Sequence, residues 1–186
     1  MTVSAAGTDP DGDPLAYEWD LDGDGTYETS GQSATFSAAG LEAPASRTIA
    51  VRVTDPSGDT GADTAVVQVI WDFEGFFAPV DNPPVVNVTR AGAGIPVKFG
   101  LTGDQGLAVL AAGSPSSTAI DCATGAPSDV IEETSTAGRA GLSYDAATDT
   151  YSYTWKTSRS WGGTCRRLTV TLADGTVHHA DFRFTG

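Results

Sequence analysis

The acidic side chains of this sequence are concentrated in two loops near its start. In the segment DPDGDPLAYEWDLDGDG, residues 9–25, six aspartates stand at alternate positions. The second loop matches the first half of a D-x-D-x-D-G calcium loop, because a glycine follows its third aspartate and lets the backbone turn back. Carboxylate oxygens are hard ligands, and Ca²⁺ accepts about six to eight of them in loose geometry. The candidate calcium ligands are Asp20, Asp22, Asp24 and Glu28, with Asp9, Asp11 and Asp13 in the neighbouring loop.

Two interpretations of these loops stay open at the level of sequence. The match to an EF-hand ends early, because the twelfth position is Gly31 instead of glutamate and the flanking segments have the pattern of strands. Aspartates also stabilise tight turns without any ion, by accepting hydrogen bonds from nearby backbone amides. We therefore expect either a Ca²⁺ site or ion-free Asx turns at this corner.

No residue pattern in the sequence predicts catalysis. His178 and His179 are adjacent on a predicted strand, so their side chains point to opposite faces, and only His179 shares a face with Asp181. A serine, histidine and aspartate triad would also need a nucleophile motif such as G-x-S-x-G, which is absent. Phosphate-loop, zinc and dinucleotide signatures are absent as well. The sequence therefore predicts a protein that is not an enzyme.

Cys122 and Cys165 are the two cysteines of the chain, and they lack C-x-x-C metal spacing. In a chain of extracellular character, two such thiols favour one disulfide, and two buried free thiols are the alternative. Because disulfides persist in oxidising compartments, we expect the protein to be extracellular or at the cell surface.

One basic and aromatic cluster interrupts the acidic chain, in the segment WKTSRSWGG with Arg166 and Arg167 after Cys165. Lys156, Arg159 and Trp161 are its candidate ligand-binding residues, and they would suit sugars or acidic wall polymers. The structural alternative places the neighbouring Trp155 in the core and leaves the cations solvated at the end of a strand.

The net charge of −14 is uneven along the chain, and it limits the partners. Residues 1–70 carry 12 acidic and 2 basic side chains. Such a surface repels phosphates, so we expect no nucleic acid, and it favours cations. No apolar run reaches the length of about 18 residues that a membrane helix needs, so we expect no membrane insertion. Nor do the residues after Met1 have the pattern of a signal peptide.

Alternating apolar residues predict half-buried strands in both halves of the chain. The segments with this pattern include residues 15–21, 47–54, 64–70, 95–101, 107–113, 128–133 and 151–157. We predict an all-β protein of two tandem β-sandwich domains, residues 1–70 and 84–186. Residues 71–83 form an aromatic and proline-containing connector, because the adjacent Pro83 and Pro84 cannot donate the hydrogen bonds of a central strand.

Two motifs relate the first half to a known family. YEWDLDGDG, residues 17–25, is one residue longer than the Y-x-W-D-x-G-D-G stretch of PKD domains, and VRVTDPSG, residues 51–58, corresponds to their V-x-V-T-D-x-x-G stretch. Residues 1–70 thus resemble the PKD domain, which implies an immunoglobulin-like sandwich used as a spacer or adhesion module. The family normally has an extra strand before the position of Met1. We therefore expect an exposed sheet edge in this half, with either marginal stability of residues 1–70 or an edge-strand dimer formed through that edge.

The second half resembles the bacterial PxKF domain, through Pro96-Val97-Lys98-Phe99 and the segments around it, over residues 76–186. That resemblance implies the end of a secreted bacterial protein and carries no activity. Taken together, the sequence predicts a non-catalytic extracellular spacer or adhesion module of a bacterial secreted or surface protein. The alternative is a carbohydrate- or cell-wall-polymer-binding accessory module of a secreted hydrolase. The expected partners are surface glycans or other extracellular proteins.

Overall fold

The chain forms two compact units, Met1–Val69 and Ile70–Gly186, called unit 1 and unit 2 below. The computed structural model describes residues 1–128, 132–133, 135–136 and 141–186. In these ranges the regular structure is β-strand, apart from one short 3₁₀ helix, Arg159–Trp161, and no α-helix is present. The prediction of an all-β sandwich fold is therefore confirmed.

Unit 1 is built from two antiparallel sheets. The small sheet pairs β1 (Thr2–Ser4) with β4 (Ser33–Thr35), and Val3 lies opposite Ala34. The larger sheet has the strand order β3-β2-β5-β6. Its strands are β2 (Ala16–Asp20), β3 (Thr29–Ser30), β5 (Ala45–Thr54) and β6 (Thr60–Val69).

The core of unit 1 is small and is centred on one tryptophan. Trp19 is buried, and its Nε1 donates a hydrogen bond to the carbonyl of Gly31 at 2.8 Å, so the polar atom of the indole is satisfied. Alternation along β5 turns Ile49 and Val51 toward this core, as the sequence pattern predicts, and in β2 Trp19 does the same although the adjacent Asp20 is buried too. The buried core residues are Trp19, Ala34, Phe36, Ile49, Val51 and Val67.

Unit 2 also has two sheets, with strand orders β11-β10-β15-β16-β8 and β12-β14-β9-β7, and β13 pairs with β14 at one end. The pairings are antiparallel except that of β8 with β16, which is parallel. The strands are β7 (Phe76–Phe77), β8 (Val86–Arg90), β9 (Gly94–Phe99), β10 (Ser116–Ile120), β11 (Glu132–Glu133), β12 (Ser135–Thr136), β13 (Ser143–Asp145), β14 (Thr150–Lys156), β15 (Cys165–Thr171) and β16 (Val177–Thr185).

The core of unit 2 is larger and more aromatic than that of unit 1. Trp155 has no exposed surface, and its ring meets the edges of Phe182 and Phe184 with centroids 5.1 and 5.9 Å apart. Phe99 stacks on Tyr151 at 5.4 Å across the pairing of β9 with β14. Both sheets therefore turn aromatic side chains toward one interior, and the alternation in residues 95–101 and 151–157 predicts this for the sheet that contains β9 and β14.

The segment predicted as a connector, residues 71–83, lies in unit 2 and packs there. The backbone amide of Trp71 donates a hydrogen bond to Oδ2 of Asp174 at 2.8 Å. Strand β7 pairs with β9, and Val80 is only 1% exposed. Pro83 and Pro84 do not interrupt these contacts, because they lie after the end of β7 and before the start of β8.

Two of the predicted strands need comment. The prediction of a strand over residues 107–113 is wrong, because only an isolated bridge joins Leu110 to Leu172 there. Val109 alone is fully buried in this loop, whereas Leu107 is 60% exposed. The backbone of the loop makes single hydrogen bonds, from the amide of Ala111 to the carbonyl of Thr171 and from the amide of Ala173 to the carbonyl of Val109. The strand predicted over residues 128–133 lies partly outside the described residues, at 129–131.

Candidate functional site

The structure brings four of the predicted calcium ligands together at one corner of unit 1. One carboxylate oxygen from each of Asp20, Asp22, Asp24 and Glu28 lies within 4.8 Å of all the others. Strand β2 ends at Asp20 and β3 begins at Thr29, so the intervening bend carries the cluster. Asp20 is buried and the other three acids are exposed, so the cluster opens to solvent. In the described residues no other group of three or more such side chains converges in this way.

Asp20 organises the bend by accepting two backbone hydrogen bonds. Its Oδ1 accepts from the amide of Gly23 at 2.6 Å, and its Oδ2 accepts from the amide of Gly25 at 2.9 Å. Both glycines have positive φ, 73° and 89°, which other residues adopt only with strain. Burial raises the pKa of Asp20, but the amide hydrogen bonds outweigh it and lower the pKa overall. The Asp20 carboxyl is therefore ionised at neutral pH.

The next two aspartates form Asx turns of their own. Oδ1 of Asp22 accepts from the amide of Asp24 at 3.3 Å, and Oδ1 of Asp24 accepts from the amide of Thr26 at 2.7 Å. The turn chemistry expected as the alternative to calcium is thus present. The two are compatible, because a carboxylate offers about four lone-pair sites and each of these groups uses one or two for amides. Arg47 donates to the backbone carbonyl of Asp22, and this nearby cation weakens the attraction for a metal ion.

The neighbouring acidic loop does not join the cluster. Oδ1 of Asp9 accepts from the amides of Asp11 and Asp13 at 2.9 and 3.1 Å, so it closes its own turn. The structure thus separates the seven predicted ligands into one convergent group of four and one loop of three, Asp9, Asp11 and Asp13.

The predicted disulfide joins Cys122 to Cys165, with the Cα atoms 5.2 Å apart and 43 positions between them in sequence. Cys165 opens β15 opposite Ile120, the last residue of β10, and Cys122 follows two residues later. The bond therefore crosses between neighbouring strands at the end of one sheet. It leaves no free cysteine in the described residues.

The candidate ligand surface is only partly accessible. The ring of Trp161 lies under the guanidinium of Arg166, which is 3.9 Å from the ring centroid, and it packs on Phe184 and Trp155. Lys156 and Arg159 are exposed beside it. The sequence places Arg166 in the basic cluster with cations expected to be solvated, but it does not reveal that Arg166 is buried. The available signal was its position directly after Cys165 on an inward face of β15.

The histidines take structural positions. His178 stacks on Phe73 with the ring centroids 3.6 Å apart, and its Nε2 lies 3.1 Å from Oγ1 of Thr176. Burial lowers the pKa of His178 below its ordinary value, although Asp174 opposes the effect. Asp181 is bound by Arg167 through two contacts of 2.7 and 2.8 Å, so its carboxylate serves an ion pair.

No helix in the described residues is long and apolar enough to cross a membrane.

No protein-family model and no curated protein matches this chain. A solved structure that does match is SGBP-B of the Bacteroides ovatus mixed-linkage glucan utilization locus, in complex with a mixed-linkage heptasaccharide. The identity is 14% and the TM-score is 0.30, and the match covers 100% of this chain and 41% of that one. A likeness at this level carries no argument about function.

Proposed function

We propose that this chain is a non-catalytic extracellular spacer or adhesion module whose first unit is stiffened by Ca²⁺. The observation that carries the proposal is the convergence of four carboxylates within 4.8 Å at the bend between β2 and β3. The resemblance of the two halves to PKD and PxKF domains supports an origin in a secreted or surface bacterial protein.

The donor set suits a structural calcium ion better than a catalytic metal. All four side chains offer hard oxygen atoms, and the group contains no histidine or thiolate of the kind that zinc and copper prefer. Because three of the four acids are exposed and Arg47 lies close by, we expect an affinity typical of extracellular modules, with Kd about 10⁻⁴ to 10⁻³ M. Such an ion would hold the bend and fix the spacing of β2 and β3.

An extracellular location is supported by the covalent and electrostatic features of the chain. The Cys122–Cys165 bond needs an oxidising compartment to persist. A net charge of −14 favours solubility and discourages contact with nucleic acid.

The alternative, a module that binds carbohydrate or cell-wall polymer, would rest on Trp161 with Lys156 and Arg159. Sugar rings stack on open aromatic faces, but Arg166 covers the Trp161 ring and Phe184 packs against it. We therefore favour the spacer. Retention of the full chain on insoluble polysaccharides, lost in Trp161→Ala, would establish the alternative instead.

The calcium proposal is tested by calorimetric titration of the full chain with CaCl₂ after removal of metal by a chelator. Wild-type protein should release or absorb heat with one-site saturation in the millimolar range, and the melting temperature of unit 1 should rise by several degrees. Saturation at about a hundred times Kd adds about 2.7 kcal/mol to the stability of the folded state.

A pair of variants makes this test specific. Asp22→Ala removes an exposed ligand of the cluster, and it should abolish both the heat and the melting shift. Glu42→Ala removes an exposed acidic charge of the same unit outside the cluster, and it should leave both intact. If wild type gives no heat and no shift, or if the two variants behave alike, the aspartates serve the turns alone and the proposal fails.

A further inference from the structure

Residues 71–75, near the start of unit 2, form a segment that we call the strap. The backbone amide of Trp71 donates a hydrogen bond to Oδ2 of Asp174, which lies in the turn before β16, at 2.8 Å. The ring of Phe73 stacks on His178 of β16, with the ring centroids 3.6 Å apart and the planes at 12°. The strap is therefore attached to this turn and strand by one polar and one aromatic contact.

Thr176 connects the two contacts through hydrogen bonds. Its amide and its hydroxyl both donate to Oδ1 of Asp174, at 2.9 and 2.7 Å. Nε2 of His178 lies 3.1 Å from the same hydroxyl oxygen. A hydroxyl group has one hydrogen, and because Asp174 receives it, the oxygen must accept a hydrogen bond from His178. The imidazole is therefore neutral, with its proton on Nε2 and a bare lone pair on Nδ1.

A second proton on this imidazole has no acceptor. Among the described residues, Nδ1 of His178 has no hydrogen-bond partner. The ring is half-buried, and one of its faces is covered by Phe73. Burial raises the pKa of Asp174, but hydrogen bonds from Thr176 and Trp71 lower it overall, so this carboxylate stays charged in mild acid. The group that responds to mild acid at this place is therefore His178.

The charged and titratable groups around His178 come from three places. Asp174 in the preceding turn favours a charged imidazole, whereas His179 on β16 disfavours it. Glu74 of the strap lines the same open cavity, whose volume is about 420 Å³. Strand β15 places the uncharged Val170 opposite His178. Burial is the largest of these influences and lowers the pKa of His178 below 6.5.

The strap can open without unfolding the rest of unit 2. Phe73 is half-buried, and Trp71, although buried, has an indole Nε1 with no hydrogen-bond partner among the described residues. A buried N–H group without a partner weakens the attachment. The chain beyond the strap is anchored separately, by the pairing of β7 with β9 and by Val80, which is 1% exposed. Segments with few buried contacts open locally, ahead of the core.

We propose that the strap is a pH-sensitive latch, in which a proton taken from solvent by Nδ1 of His178 breaks the stack on Phe73 and releases residues 71–75 from β16. The charged ring turns toward water, and the aromatic wall of the cavity, Phe73 and Phe76, becomes exposed. The inference goes beyond the spacer function and does not depend on calcium.

The sign of the pH dependence follows from linkage. The ordinary pKa of histidine is 6.5 and that of folded His178 is lower, so the closed strap binds fewer protons than the open one. Attachment is therefore complete above pH 6.5 and weakens as the pH falls below it. Each unit by which closure lowers the pKa raises the ratio of open to closed strap about tenfold at low pH.

Amide hydrogen exchange of the full chain, followed by NMR at about pH 7.5 and about pH 5 and corrected for intrinsic rates, measures this opening. Protection of the Trp71 amide, which bonds Asp174, and of the Glu74 amide, which bonds the carbonyl of Gly100, should fall about tenfold. Protection of the Leu168 amide, in the central strand β15, should not change. Nitrogen shifts of His178 should show the proton on Nε2 at the higher pH and a pKa below 6.5.

Variants at the two adjacent histidines make the test specific. His178→Gln cannot titrate and should abolish the difference between the two pH values, whereas the matched control His179→Gln should keep it. Because His178→Gln also loses the stack, His178→Phe supplies a ring that does not titrate, and it should keep the strap closed at both pH values. The proposal is overturned if His178 titrates at or above pH 6.5, if wild type shows no difference, if His178→Gln retains it, or if Leu168 loses protection equally.

Discussion

Opening the Cys122–Cys165 bond should destabilise unit 2 and leave unit 1 unchanged. The bond closes a loop of 43 positions, and cross-linking a loop of that length restricts the unfolded chain by about 4 kcal/mol in the entropy model. In a unit of this size each kcal/mol moves the melting temperature by about 4 °C, so the expected fall is about 15 °C. Cys165 is buried at the start of β15, so the reduced thiols also stay close together in the folded state.

Scanning calorimetry of the oxidised and reduced chain, with a thiol titration to confirm each state, measures this difference. The double variant Cys122→Ala, Cys165→Ala should melt near the reduced protein and should not respond to reductant. A fall of less than about 1 kcal/mol in unit 2 would refute the loop-entropy reasoning, since the unfolded chain would then be equally restricted without the bond. An equal fall in both units would refute the independence of their folding.

Two further predictions concern unit 2. Trp155→Ala removes a fully buried ring from the contacts with Phe182 and Phe184, and it should cost about 3–5 kcal/mol in urea unfolding; Leu107→Ala, at a position that is 60% exposed, should change stability by less than about 0.5 kcal/mol. The hydroxyl of Tyr144 donates to Asp149 at 2.8 Å, and this hydrogen bond raises the pKa of Tyr144 from 10.0 to about 12. A raised folded-state pKa stabilises the fold below the unfolded value, so this contribution should be present below pH 10 and be lost as the pH rises toward 12. Urea unfolding across that range should show a larger loss in wild type than in Tyr144→Phe, because burial also raises the pKa values of Tyr151 and Tyr153, which both proteins retain.

Much of the fold follows from local sequence, because a strand with one buried face has a period of two residues. Trp19 and Ile49, or Val97 and Tyr153, are placed inward by that rule alone, and the structure buries all four. The rule fails at residues 107–113, where Val109 is buried without a strand. A residue in this segment can be buried without pairing in a strand. Whether the segment pairs depends on Leu172, a partner far along the chain.

Part of the candidate site could also be predicted from the sequence, because that part depends on local backbone geometry. The bend that carries Asp20, Asp22 and Asp24 is local, since its glycines have the positive φ that the turn needs. The covering of Trp161 by Arg166 is a contact between a 3₁₀ helix and a strand, and the spacing of the residues does not reveal it. The spacing of the residues also does not show that the Asp9 loop lies apart from the cluster, because that separation depends on the path of β2.

The two units differ in how their stability is supplied, and this difference bears on the calcium proposal. Unit 1 has a core of six buried residues and an open cleft, whereas unit 2 has a fully buried aromatic core and a disulfide. Small domains bury a lower fraction of their surface, so we expect unit 1 to have the smaller free energy of unfolding. Any ligand that binds only its folded state adds RT ln(1 + [L]/Kd), which is about 1.4 kcal/mol at ten times Kd. Calcium at the bend would therefore add to a small free energy of unfolding. Because β2 carries both Asp20 of the cluster and Trp19 of the core, binding at the bend should also stiffen the pairing of β2 with β5.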